Sequence, residues 1–253
     1  MAGEVVIKVE GLRTQFGDEV INDNLSLEVY RGEVLGVVGG SGSGKSVLLR
    51  TIVGLARPAR GKIQVLGHDL SRMNDDGRRV FEKRWGMLFQ SGALFSSLTV
   101  EQNVQMPLKE HTKLPPGLIA EIAHVKLGMV GLTPDAHAKY PSEISGGMKK
   151  RAALARALAL DPEILFLDEP TAGLDPIAAT HFDELIAGLK ESLNLTVFMV
   201  THDLDTLHAI CDRVAVLVDR HVIVGTIEEL VRLDHPWIKE YFGGPRGRRS
   251  LAS

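Results

Sequence analysis

The sequence predicts an α/β fold, and three observations carry that reading. Short apolar runs rich in β-branched residues recur along the chain. The run at 33–38 is almost continuously apolar, as in a strand buried on both faces. It then breaks into a burst of glycine that opens a helix-patterned stretch. The 253 residues suit one large domain or one domain with a smaller lobe, and a hydrophobic share of 44% against 24% charged suits a chain that buries a core.

Taken in order, strands are expected at 5–9, 25–29 and 33–38. The stretch 45–55 places Leu48, Ile52 and Leu55 on one helical face, with Gly54 and Pro58 as stop signals. Further strands are expected at 63–66, 87–89, 164–167, 196–200, 214–218 and 221–224. Between them 99–108, 118–130 and 148–160 read helical, which predicts a helical insert over roughly 91–160, punctuated by loops at 115–117 and 131–134. A single domain is expected over 4–240, with 241–253, rich in glycine and arginine, as a flexible tail.

Charge narrows the function. With 29 basic and 32 acidic side chains the net charge is −3, which argues against a dedicated nucleic-acid binder and predicts no nucleic-acid partner. The lone cysteine, Cys211, cannot form an internal disulfide and reads as a small buried hydrophobe in a reduced compartment. No apolar run approaches the ~20 residues that cross a bilayer, and the first residues lack a secretory pattern. A cytoplasmic protein is expected, whose membrane role must come through a partner.

Residues 39–46 read GGSGSGKS: glycine, four variable positions, glycine, lysine and serine, between a buried strand and a helix. Glycines here let successive N–H groups converge on phosphate oxygens at the positive end of a helix. Lys45 would add a point charge for β- and γ-phosphates, and Ser46 a hydroxyl for Mg²⁺. The apolar run 164–167 then delivers Asp168 and Glu169 at a strand's carboxyl end, where ligands of open α/β sheets bind. Alone such a pair can be a solvated strand end; beside a phosphate loop it reads as metal-binding Asp168 and water-activating Glu169. Ser145, Gly146 and Gly147 open a third element, a helix rich in alanine, leucine, lysine and arginine, and form a second anion-seeking helix start. Two such starts in one chain suggest that two copies share nucleotides. The cationic run at 149–151 reads as a solvated helix face, and eight histidines lack metal-cluster spacing.

In this order the motifs resemble the nucleotide-binding subunits of ABC transporters, over nearly all of residues 4–230. The resemblance implies the ABC ATPase form of the P-loop NTPase fold: a mixed, largely parallel core sheet, an N-terminal antiparallel β-subdomain and an inserted helical subdomain. It implies ATP and Mg²⁺ as cofactors. Gly39, Gly40, Ser41, Gly42, Ser43, Gly44, Lys45 and Ser46, with Val47, match the Walker A loop, and 164–169 the Walker B strand. Gln90 matches the Q-loop glutamine, with a catalytic and metal role, and Ser145, Gly146 and Gly147 the signature. Asp175 falls in the D-loop, His202 at the switch histidine, and Phe16 where an aromatic stacks on adenine. Each alone has an ordinary structural alternative: a core aromatic, a surface amide, a strand-end histidine.

Ile144 and Met148 stand where the family signature usually carries leucine and glutamine. A thioether cannot replace an amide's hydrogen bonds, though Ser145 and the glycine N–H groups remain. Methionine here, together with 89–95, 98–100 and 110–112, resembles the Mce/Mla lipid-transport branch. That resemblance implies an ATPase powering phospholipid transport linked to outer-membrane lipid asymmetry. It implies a homodimer on the cytoplasmic face of the inner membrane, an MlaE-like permease, an MlaD-like Mce-domain binding protein and an MlaB-like STAS-domain subunit. The residues leave open an importer ATPase for a small polar solute, and a non-transport ABC protein of translation or DNA repair.

Overall fold

A computed structural model describes residues 3–244, without the side chains of residues 16, 71, 75, 76 and 79. The first elements in chain order are β1 (Val5–Phe16), β2 (Glu19–Tyr30), β3 (Val34–Gly39), α1 (Lys45–Ile52), β4 (Arg60–Val65), β5 (His68–Asp69), α2 (Asp75–Phe81) and β6 (Trp85–Leu88). Then follow α3 (Val100–His111), α4 (Pro116–Met129), α5 (Pro134–His137), α6 (Gly146–Ala157), β7 (Ile164–Asp168) and α7 (Pro176–Leu193). The chain closes with β8 (Thr196–Val200), α8 (Leu204–Ile210), β9 (Arg213–Val218), β10 (His221–Gly225), α9 (Ile227–Val231) and α10 (Pro236–Gly243). They form two compact units, one of residues up to 78 and from 196 onward, the other of 79–195.

In the first unit an antiparallel sheet runs in the order β2-β1-β4-β5. In β2, Leu25, Leu27 and Val29 are buried in alternation, so one face meets the core and the other solvent. The same unit holds the strand order β10-β9-β3-β8, in which β3 is parallel to β8 and β9, and β10 antiparallel to β9. With a parallel neighbour on each side, β3 has no polar face to show, which is why its sequence is apolar without alternation. Its ladder with β8 ends at Val37↔Val200, so both strands release their chains at the same carboxyl edge.

A core cluster of this unit gathers Val38, Leu207, Val216, Leu230, Ile238 and Phe242, with the half-buried Cys211 packed against it. Residues 241–243, expected as tail, belong to α10, and Phe242 is 1% exposed. Ile238 and Phe242, one helical turn apart, supply the apolar stripe that binds this short helix to the core. The remaining tail positions 245–253 lie outside the described residues.

In the second unit β6 and β7 are parallel neighbours, paired from Trp85↔Ile164 to Leu88↔Leu167. Helices α3 to α6 lie between them in sequence, in the region expected to be a helical insert. Thr99 and Gln102 close a capping box at the start of α3, and Pro116 occupies the first position of α4, where its missing N–H has no consequence. The 18-residue α7 ends on Asn194 in the left-handed conformation.

Candidate active site

The phosphate loop leaves β3 at Gly39 and enters α1 at Lys45. Gly44 is the helix's N-cap at φ +92°, and a Cβ on it would lie 2.5 Å from Ile21 Cγ2, so both torsion and packing require glycine. The N-cap offers no side-chain hydrogen bond, and the N–H groups of Ser46 and Val47 belong to the first turn, whose donors have no intrahelical carbonyl to bond. Gly40, Ser41 and Gly42 form the outer turn, where Ser43 N–H donates to the Gly40 carbonyl at 3.1 Å. The Ser43 hydroxyl is buried without a hydrogen-bond partner among the described residues, an orphan that a phosphate oxygen would satisfy. The Lys45 ammonium donates to the Gly39 and Gly40 carbonyls at 2.8 and 3.0 Å, which holds it over the loop.

At the same edge of the first unit, β8 delivers Thr201 and His202. The Thr201 N–H donates to the Val37 carbonyl at 3.2 Å, tying this strand end to the strand that carries the loop. His202 is exposed, and its backbone carbonyl accepts the Tyr241 hydroxyl at 3.1 Å. Phe16 ends β1, its backbone paired with Glu19; its side chain lies outside the described residues.

The second unit brings together Gln90, Asp168 and Glu169. Gln90 and Glu169 each lie two residues past the last paired residues of β6 and β7, so both leave adjacent parallel strands at their carboxyl ends. Asp168 is 7% exposed and Glu169 half-buried. Glu169 stands at φ +49°, a left-handed backbone that costs a non-glycine residue about 1–2 kcal/mol. Its carbonyl accepts the Ala172 N–H at 3.2 Å and the Lys150 ammonium at 3.0 Å.

Ser145 caps α6, its hydroxyl accepting the Met148 N–H at 3.3 Å. A Cβ on Gly146 would meet nothing within 4 Å, and one on Gly147 only Leu174 Cδ2 at 3.9 Å. Nothing packed among the described residues therefore demands glycine at either position. Asp175 caps α7 by accepting the Ala178 N–H at 3.0 Å, a structural duty beside any contact with nucleotide.

The ABC transporter family pattern matches residues 22–172. The chain belongs to the ABC transporter family. It has the ABC ATPase fold and is an ATP-binding, ATP-hydrolysing cassette. The chain is 43% identical to the intermembrane phospholipid transport system ATP-binding protein MlaF of Haemophilus influenzae, over 94% of this chain and 90% of that protein. It is 40% identical to a probable ribonucleotide transport ATP-binding protein, mkl, of Mycobacterium leprae, over 96% of this chain and 70% of that protein. Among solved structures, the dimeric post-hydrolysis ATP-binding cassette MJ0796 bound to ADP and Pi superposes with a TM-score of 0.79. It is 29% identical and spans 87% of this chain and 98% of that one.

Within this ABC cassette the sequence reading missed the residues that build the segment after Gln90. Asn103, fully buried, accepts the Phe95 N–H at 2.8 Å and donates to the carbonyls of Phe95, Leu98 and Thr99. Arg156 donates to the carbonyls of Gly92 and Ala93. Within the run 149–151, expected as a solvated face, Lys150 is instead buried at 6% exposed and Arg151 is half-buried, donating to the Val130 carbonyl at 2.7 Å. Burial holds the Lys150 ammonium below its ordinary pKa, partly offset by the nearby carboxylates of Glu169 and Asp168. A buried polar side chain gives no composition signal; only the helical period of 148–160 hinted that one face of α6 turns inward.

Proposed function

We propose that the chain is the ATPase of a phospholipid-transporting membrane complex, working as a pair of copies that hold ATP between them. The 43% identity to a phospholipid-transport ATPase over nearly the whole chain carries the cargo assignment. Pairing rests on Gly146 and Gly147, glycines at an exposed helix start that their own chain leaves uncrowded. An external anion approaching Ser145 explains them, and the relative MJ0796 is itself dimeric.

Ser46, Gln90 and Asp168 are the candidate Mg²⁺ ligands, and the donor set suits that ion: hydroxyl, amide and carboxylate oxygens. Among the described residues there is no closed cluster of three or more His, Cys, Asp or Glu, so phosphate and water would complete the shell. Bound there, Mg²⁺ would neutralise developing charge on the β- and γ-phosphates. Lys45 holds the phosphates in the loop, and Phe16 stacks on adenine. Glu169 orients and polarises the attacking water, and His202 contacts the γ-phosphate. Ser145 of the second copy, with its glycine N–H groups, closes over the same phosphate, and Asp175 lies in the segment facing that copy. The binding energy of the γ-phosphate thereby shifts the pair from open to closed.

No helix among the described residues is long and apolar enough to cross a membrane; the proposed complex places that role on a membrane-spanning partner. A groove of about 400 Å³ in the second unit, lined by Trp85, Met87, Phe89, Phe95 and Met106, lies beside the Gln90 segment and is the surface assigned in this reading to the permease. An MlaE-like permease, an MlaD-like Mce-domain protein and an MlaB-like STAS-domain subunit complete the proposed complex at the inner membrane. Affinity purification from detergent-solubilised membranes tests this reading. A multi-span permease with a phospholipid-loaded binding protein is expected. A permease with a binding protein loaded with nucleoside or another polar solute would replace it.

A further inference from the structure

We propose that Lys150 is a positioning residue for hydrolysis: one ammonium fixes the left-handed backbone of Glu169 and ties it to Gln90 and to the signature helix. The inference rests on the roles given above to Glu169 and Gln90. Lys150 lies one turn into α6, and its Nζ donates 2.5 Å to the Gln90 carbonyl and 3.0 Å to the Glu169 carbonyl. Both carbonyls lie beyond the Leu88↔Leu167 end of the β6–β7 ladder, where no strand pairing remains to satisfy them. The ammonium has three donors and no acceptor, so it can bridge two diverging chains as no neutral side chain of that length can.

The position of Glu169 gives the bridge its consequence. Its carbonyl accepts from the Ala172 N–H and from Lys150. Of these, the first is local to the turn, whereas the second comes from the helix whose tip is Ser145. Removing it leaves the Gln90 and Glu169 carbonyls without their common donor and takes from the strained turn its tie to the signature helix. A tip that engages phosphate and a carboxylate that activates water then no longer share a rigid connection, and misplacement of the water by about 1 Å is enough to lower turnover.

The test is steady-state hydrolysis by the intact complex, with ATP affinity and thermal midpoint measured on each variant. Lys150→Met is expected to lower kcat at least tenfold with KM for ATP within threefold of wild type, and Lys150→Arg to recover most of the loss. In a Glu169→Gln background, Lys150→Met should leave ATP affinity unchanged. Should Lys150→Met fail to fold, Lys150→Gln against Lys150→Arg makes the same comparison, a loss with glutamine and retention with arginine being expected. Wild-type kcat in a folded Lys150→Met, a drop in thermal midpoint with kcat intact, or equal kcat in the glutamine and arginine variants overturns the proposal. A wild-type complex without ATPase activity would instead overturn the function assigned to the site.

Discussion

Tyr241 donates its hydroxyl to the backbone carbonyl of His202 at 3.1 Å, and Trp237 stacks on Tyr241 with ring centroids 4.7 Å apart and planes 12° from parallel. The indole also lies against the phosphate loop: a Cβ on Gly40 would come 3.7 Å from its Nε1. Helix α10, held by the buried Ile238 and Phe242, therefore supports both the histidine turn and the glycine loop.

That contact makes Trp237 a reporter. The chain has two tryptophans, so Trp85→Phe leaves Trp237 as the sole emitter. ATP is expected to shift its emission, with a midpoint matching the dissociation constant from calorimetry. Unchanged emission at saturating ATP would mean that nucleotide does not reach the loop beside this ring.

Glu169→Gln keeps the volume and hydrogen-bonding reach of the side chain but removes the base. ATP affinity is expected to hold while phosphate release falls by ~10²–10⁴. The check is single-turnover hydrolysis beside equilibrium binding, and normal turnover would remove Glu169 from catalysis.

Lys45 rests on two carbonyls of its own loop, so its ammonium is already placed where phosphate would enter. Charge-assisted hydrogen bonds contribute about 1.5–3 kcal/mol, so Lys45→Ala should weaken ATP binding roughly 10- to 100-fold. Calorimetric titration decides it; undiminished affinity would take the loop out of the site.

Two glycines should respond in opposite ways. Gly44→Ala forces a Cβ into a left-handed backbone 2.5 Å from Ile21 and should lower unfolding free energy by about 1–3 kcal/mol. Gly146→Ala meets nothing among the described residues, so stability should stay within ~0.5 kcal/mol. If Gly146 faces the nucleotide of a second copy, turnover should nevertheless fall by roughly tenfold or more. Denaturant unfolding and ATPase assays, run side by side, separate the two effects.

Much of this was legible because the relevant physics is local. The strand at 196–200 matches β8, and glycine at position 44 answers a torsion and a contact that few other residues could meet. Asp175 was expected at nucleotide, but its carboxylate also caps α7, a duty set by the turn that Pro176 begins. Phe242 read as tail because one apolar turn beside a glycine- and arginine-rich end carries no periodicity until the cluster that receives it is known.

The sequence by itself determined the α/β class, the order of the phosphate loop, the carboxylate strand and the serine-led helix, and so the family. Backbone torsion, helix capping and apolar period all act over a few residues and leave their mark in composition and spacing. Only the tertiary structure decided where Lys150 goes and what α10 supports. The partners of Lys150 lie 60 and 19 residues away, and Tyr241 is 39 from His202. A cation or a ring shows the same letters in a row whether it faces water or bridges two strand ends; burial alone separates the outcomes, and burial is set by the packing of distant segments.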